Sequence, residues 1–177
     1  MDQFDSADSD CGLSLAVEPS ILVFGPHHTT RVVALLTNAG IRPLTLVIPG
    51  DGSRMGRRTP TITWTFTPGG TLQGFEGCGN LNELSAREVF VLHPGETRTI
   101  DDWVAPLALP PLRRCRAFMV YSNEPNMAFR GVLLRPHDQG ALAQLGASDR
   151  CRVQSPEVEI VIEGALNTRR LPPVKDY

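Results

Sequence analysis

The stretch Glu157–Glu163 reads EVEIVIE and decides the fold class. Its acidic residues occupy one face of an extended chain, and three β-branched apolar residues occupy the other. A strand with one wet face fits an antiparallel sheet, because parallel sheets are covered by helices on both faces. The sequence therefore predicts an all-β protein in which this segment is the last core strand.

Seven further runs of strand length lie upstream, and turn residues separate them. Many of the 16 glycines and 15 prolines fall between these runs, where they end strands and build turns. The runs are Leu13–Val17, Arg31–Thr37, Leu44–Ile48, Thr61–Phe66, Glu88–Leu92, Thr97–Ile100 and Arg116–Tyr121. This pattern predicts an antiparallel immunoglobulin-like β-sandwich of about seven to nine strands, with a β-barrel as the second choice.

The chain divides into one domain and two tails. We expect residues 1–12 to form an acidic flexible tail, residues 13–164 a single β-sandwich domain, and residues 165–177 a C-terminal tail. Residues 125–155 are predicted to form a long loop excursion before the last strand. Within this excursion, Ala141–Gly146 has the composition for about one and a half helical turns.

Composition excludes several classes of protein. The 177 residues are 41% apolar and 20% charged, which is typical of a globular domain, and the net charge of −2 gives no bulk attraction to nucleic acid or to an anionic membrane. No apolar run reaches the length of a membrane-spanning helix. The N-terminus lacks the basic and apolar regions of a signal peptide. We therefore expect either a cytoplasmic protein or a start that follows a removed leader.

Four cysteines leave the redox compartment open. Cys11, Cys78, Cys115 and Cys151 allow two disulfides in three connectivities, but they can equally be buried thiols. A Cys11–Cys151 bond would tie the two ends of the domain together, and Cys78 is a candidate partner for Cys115. Their spacing matches no zinc module.

Three short motifs resemble a set of uncharacterised bacterial immunoglobulin-like domains. Thr37–Gly40 followed by Pro43-Leu44 resembles the T-N-x-G…P-L signature, Leu92–Glu96 resembles L-x-P-G-E, and Cys78–Asn80 supplies C-G-N. The resemblance spans Leu13 to Glu163 and implies a sandwich fold without catalytic residues. It also implies that Trp64 is the buried strand-C tryptophan and Tyr121 a corner tyrosine.

The leading functional hypothesis is a non-enzymatic module that binds another protein through its end loops. The loops are Pro49–Arg58, Gly69–Leu84 and Pro125–Ser155. The first combines glycines and arginines as an anion cradle does, although a turn with arginines packed over strands explains the same pattern. The candidate binding residues are Asp51, Ser53, Arg54, Arg57, Arg58, Asn80, Asn82, His137 and Asp138. No cofactor and no metal ion are expected.

Other functions stay open. A small hydrolase or metal-dependent enzyme would use Cys78, His93, His137 and Asp138, although the sequence contains none of the common hydrolase or nucleotide-binding motifs. A metal site would need His137 or Asp138 to join, for example with His28, because neighbouring strand residues such as His27 and His28 point to opposite faces. A loop-based protease inhibitor, similar to the chagasin type, and a structural spacer in an envelope assembly are the remaining alternatives.

Overall fold

The structure is a computed structural model that describes residues 11–49, 61–68, 70–72, 88–101, 104–106, 109–123 and 139–163. Strands dominate these residues, accompanied by one short helix. The strands are β1 Leu13–Glu18, β2 Ile21–Phe24, β3 Val33–Asn38, β4 Leu44–Val47, β5 Thr61–Thr67, β6 Gly70–Leu72, β7 Val89–Leu92, β8 Thr97–Ile100, β9 Arg114–Asn123, β10 Cys151–Gln154 and β11 Val158–Ile162, and the helix is α1 Gln139–Gly146. The predicted all-β class is confirmed.

The described strands form three sheets. Sheet A has the order β1-β3-β8, sheet B has the order β2-β11-β9-β5-β6 with β10 also paired to β9, and sheet C is the pair β4-β7. Neighbouring strands are antiparallel, except that β2 runs parallel to β11. The antiparallel character agrees with the wet-faced pattern of Glu157–Glu163.

One hydrophobic core draws residues from all three sheets. The residues of β5 alternate as predicted, with Ile62, Trp64 and Phe66 buried. Val158 and Ile160 of β11 are buried in the same cluster. Trp64 is held in place because its Nε1–H donates to the carbonyl oxygen of Val104 at 2.8 Å and its ring stacks near Phe66.

The chain changes sheets between β1 and β2. Glu18 pairs with Val33 in sheet A, whereas Ile21 pairs with Glu159 in sheet B. Pro19 separates the two strands, and a proline has no N–H to donate to a ladder. The first strand therefore ends in sheet A, and the chain starts a second short strand on the edge of sheet B.

The structure contains more strands than the sequence predicted. All eight predicted runs are strands, but β2, β6 and β10 were missed. Each is three or four residues long, which is too short for a period of two to be visible. The described part of the predicted excursion 125–155 contains α1 and the missed strand β10, which pairs with β9. The predicted helical segment Ala141–Gly146 lies within α1.

The cysteines follow one predicted pairing and not the other. Cys11 and Cys151 form a disulfide with a Cα–Cα distance of 5.7 Å, so that the segment before β1 is tied to β10. Cys115 on β9 is a free, buried thiol, and the proposed bond between Cys78 and Cys115 was therefore wrong. Cys78 itself lies outside the described residues.

Candidate functional site

The residues predicted to bind a partner lie outside the part of the chain that the structure describes. They are Asp51, Ser53, Arg54, Arg57, Arg58, Asn80, Asn82, His137 and Asp138. The described residues that flank these segments are nevertheless placed. They locate where each predicted loop leaves the β structure and where it returns.

Most of the flanking residues meet at one end of the protein. The exception is Thr67, before the second predicted loop, which pairs with Arg116 at the other end of β9. Thr61, the first residue of β5, pairs with Ser122 near the end of β9. Val47, the last residue of β4, pairs with Val89 at the start of β7. The hydroxyl of Tyr121 donates to the Val47 carbonyl oxygen at 2.7 Å and so joins the two groups of strands. We call this region, where β4 and β9 end and β5 and β7 begin, the attachment end.

The return from the third predicted loop is fixed at the attachment end as well. Asn123 is buried, and its Nδ2 donates to the Ser148 hydroxyl at 3.0 Å and to the Asp149 carbonyl oxygen at 2.7 Å. The Asp149 carboxylate accepts from the Thr45 backbone N–H at 2.7 Å and from Arg42 at 2.5 Å. These bonds connect the segment after α1 to β9 and to β4.

Asn38, the last residue of β3, is a buried polar residue. Its Nδ2 donates to the carbonyl oxygens of Arg42 and Leu92, each at 2.8 Å, and its Oδ1 accepts from the Gly40 N–H at 2.9 Å. A buried polar side chain is favourable only when it is hydrogen-bonded, and Asn38 meets this condition. The asparagine of the T-N-x-G signature therefore holds the turn between β3 and β4.

The two signature turns bind each other. Asn38 donates its backbone N–H to the Glu96 carbonyl oxygen at 3.0 Å, and its own carbonyl oxygen accepts from the Gly95 N–H at 2.8 Å. Glu96 closes the L-x-P-G-E turn by donating to the His93 carbonyl oxygen at 2.9 Å. Gly95 has a φ of 77°, as a type II turn with proline before glycine requires. Both motifs are explained by folding, and neither needs a ligand.

Tyr121 has a different role from the one implied by the resemblance. A corner tyrosine bonds to the backbone a few residues upstream, near the start of its strand. Tyr121 lies near the end of β9 and bonds to Val47, which is 74 residues away in the chain. Burial raises the pKa of its hydroxyl, which stays protonated and donates.

The described residues bring no catalytic group together. His93 lies in the turn between β7 and β8, and His28 accepts from the Gly25 N–H through its backbone oxygen. Within the described ranges no group of three or more histidine, cysteine, aspartate or glutamate residues is placed to hold a metal ion. The buried Cys115 thiol has its pKa raised by desolvation, which disfavours the nucleophilic thiolate. Cys78, His137 and Asp138 lie outside these ranges.

A shallow charged depression lies on sheet B. Its volume is about 640 Å³, and it lies across the first residues of β9. Arg114 Nε contacts Glu159 Oε1 at 3.0 Å, and Arg116 Nη1 contacts Glu157 Oε2 at 3.5 Å. The other lining residues are Thr67, Pro68, Cys115 and Val158. These arginines carry no distinctive signal in the sequence, because only the pairing of β9 with β11 brings them beside glutamates.

Comparisons with known proteins do not add a family to this description. No protein-family model matches the chain, and neither the curated proteins nor the solved structures yielded a match. Among the described residues, no helix has the length and apolar character needed to span a membrane.

Proposed function

We propose that the protein is an immunoglobulin-like β-sandwich that binds another protein through loops at one end and acts by binding rather than by catalysis. The strand orders support the fold. In an immunoglobulin domain, strands A, B and E share one sheet, and strands G, F, C and C′ share the other. The orders β1-β3-β8 and β11-β9-β5-β6 correspond to these two sets. Trp64 on β5 then takes the position of the buried strand-C tryptophan.

The observation that carries the function is the attachment end. The first predicted loop begins and ends at this end, the second returns to it at β7, and the third leaves from it after β9. The Thr61–Ser122 and Val47–Val89 pairs and the Tyr121–Val47 hydrogen bond hold these points together. Loops carried together on one end of a rigid β scaffold are a recurrent basis of protein recognition. Asp149 and Asn123 anchor the last of these segments on both sides of the core.

Site-specific photo-cross-linking in cells of the source organism tests this proposal. A photoreactive amino acid is introduced at Arg54, Asn80 or His137, and in the control at Ser20, which is exposed at the opposite end. We expect the three loop positions to cross-link to one common protein and the Ser20 position not to do so. Absence of a common product, or equal capture from Ser20, would refute the proposal.

The enzymatic alternative can be examined with the same preparation. Hydrolysis of a panel of ester and peptide substrates that is lost in His93→Ala would support the hydrolase hypothesis instead. The protease-inhibitor hypothesis is tested when the cross-linked protein is identified as a protease.

A further inference from the structure

The outward face of sheet B carries a row of residues that is complementary to the same row read in the opposite direction. Strand register places Ile21, Glu159, Arg116 and Thr67 side by side on β2, β11, β9 and β5. Directly paired residues of neighbouring strands project from the same face of a sheet. The inward neighbours of these residues are buried, so the row faces outward. Read across the sheet, the row is apolar, acidic, basic and polar.

The charges continue in two columns along the strands. Arg114 and Arg116 project from β9, while Glu159 of β11 and the adjoining Glu157 are their partners. The arginine side chains are 73% and 75% exposed, and each guanidinium has five N–H donors, more than its partner carboxylate occupies. The column next to the glutamates is apolar, and Ile21 in it is 50% exposed.

We propose that this face of sheet B associates with the same face of a second copy of the chain. A two-fold axis parallel to the strands and between β9 and β11 brings Arg116 of each copy over Glu159 of the other. The same operation brings Ile21 over Thr67, at the depression lined by Thr67 and Pro68. A two-fold interface requires a self-complementary surface, and this arrangement of columns provides it.

Charge complementarity favours a second copy over a partner of one sign. A strongly acidic or basic ligand that pairs with one column meets like charge in the neighbouring column, and like-charge contacts across an interface are strongly unfavourable. An identical face avoids this conflict because each column meets its opposite. The face is separate from the attachment end, so the inference does not depend on the proposed function.

Sedimentation equilibrium of the full chain with charge-swapped variants tests the inference. We expect the wild type to dimerise reversibly and more weakly at high salt. In Arg114→Glu/Arg116→Glu and in Glu157→Arg/Glu159→Arg, like charges face each other, and the dimer dissociation constant should rise about 100-fold. An equimolar mixture of the two variants should restore dimers, because the swapped columns again meet opposite charges.

The control is Arg31→Glu, which reverses an arginine that pairs with Asp101 away from sheet B and should leave the dimer unchanged. Thermal unfolding of each variant establishes that it folds. If a swapped variant does not fold, Ile21→Lys is measured in its place and should weaken the dimer by at least about tenfold. A wild type that stays monomeric at every concentration, a dimer insensitive to the swaps, or a mixture that does not re-associate would overturn the inference.

Discussion

At the scale of single residues, Asn38 shows why a short signature is informative about fold. The residue is buried and binds two carbonyl oxygens and one N–H in two different turns. No shorter polar side chain reaches all three groups, and an apolar one leaves them unpaired. The sequence identified the motif, but only the structure assigns this role to it.

Replacement of Asn38 should destabilise the fold strongly. Asn38→Ala leaves the Arg42 and Leu92 carbonyl oxygens without their partner, and we expect the free energy of unfolding to fall by about 3 kcal/mol. Urea denaturation measures this free energy. Ser14→Ala, which removes an exposed hydrogen bond to Thr37, is the control and should change stability by less than about 0.5 kcal/mol. Equal effects would contradict the role of Asn38.

Tyr121 should make stability fall at high pH. Burial raises the pKa of its hydroxyl above the ordinary value of 10.0, which the unfolded chain keeps. The contribution is therefore complete below pH 10 and decreases above it, by about 1.4 kcal/mol per pH unit, because only the unfolded state releases the proton.

Urea denaturation of wild type and Tyr121→Phe between pH 8 and pH 11 isolates this effect, with the pH values spanning the ordinary tyrosine pKa of about 10. The variant loses the bond to Val47 and should be less stable at pH 8, by about 1 kcal/mol. The difference should shrink or reverse above pH 10. Parallel pH profiles for the two proteins would show that Tyr121 is not the responsible group.

At the scale of elements, two turns require glycine for different reasons: one for its backbone conformation alone, the other for close packing as well. Gly12 and Gly95 have φ values of 74° and 77°, so an added side chain is strained at both. A Cβ on Gly12 would lie 2.8 Å from the Gly40 Cα, whereas a Cβ on Gly95 meets nothing within 4 Å. The approach of the chain before β1 to the turn after β3 therefore requires glycine for a second reason.

The matched pair Gly12→Ala and Gly95→Ala tests this distinction. Gly95→Ala should lower the unfolding free energy by about 1 kcal/mol through backbone strain alone. Gly12→Ala carries the same strain and a backbone clash, and should lower it by about 2 to 4 kcal/mol. Chemical denaturation of both variants gives the comparison. If Gly12→Ala were as stable as Gly95→Ala, the chain before β1 would not closely approach the turn after β3.

The elements that could be predicted from sequence are those long enough to show a period. The predicted run Thr61–Phe66 alternates over its whole length and lies within β5, whereas β2, with the sequence ILVF, shows no alternation in four residues. β10, with the sequence CRVQ, becomes a strand because it pairs with the end of β9. Such pairing joins segments far apart in the chain, and local propensity does not encode it.

The candidate sites also depend on pairing between distant segments, so the sequence alone could not place them. Composition marked the loops, but that the ends of β4 and β9 lie beside the starts of β5 and β7 follows from the pairing of Thr61 with Ser122 and of Val47 with Val89. The opposed arginines and glutamates of sheet B likewise depend on register, since Arg116 and Glu159 are 43 positions apart by their numbers. Neither arrangement can be obtained from local patterns.

At the scale of the whole molecule, the disulfide closes a long chain segment. Cys11 and Cys151 are separated by 140 residues and connect the start of sheet A to sheet B beside the attachment end. In the chain-entropy account, a cross-link over such a distance restricts the unfolded state strongly. The bond therefore stabilises the folded domain as a whole.

Removal of the Cys11–Cys151 disulfide should lower the unfolding free energy more than removal of the free cysteine, Cys115. Cys11→Ser/Cys151→Ser should lose about 3 to 5 kcal/mol of unfolding free energy, and the wild type should approach the same value in reductant. Cys115→Ala removes one buried sulfur and should lose about 1 kcal/mol, with the response to reductant retained. A wild-type stability unaffected by reductant would contradict the bond.

The central claim is that the domain binds a protein partner through loops at the attachment end. The most direct measurement is the dissociation constant, by calorimetry, for the partner cross-linked from these loops. Arg57→Ala/Arg58→Ala should weaken binding at least about tenfold. The control Arg31→Ala/Arg113→Ala, with the same change of net charge, should leave it unchanged. Equal dissociation constants for both variants, or a loss only in the control, would contradict the claim.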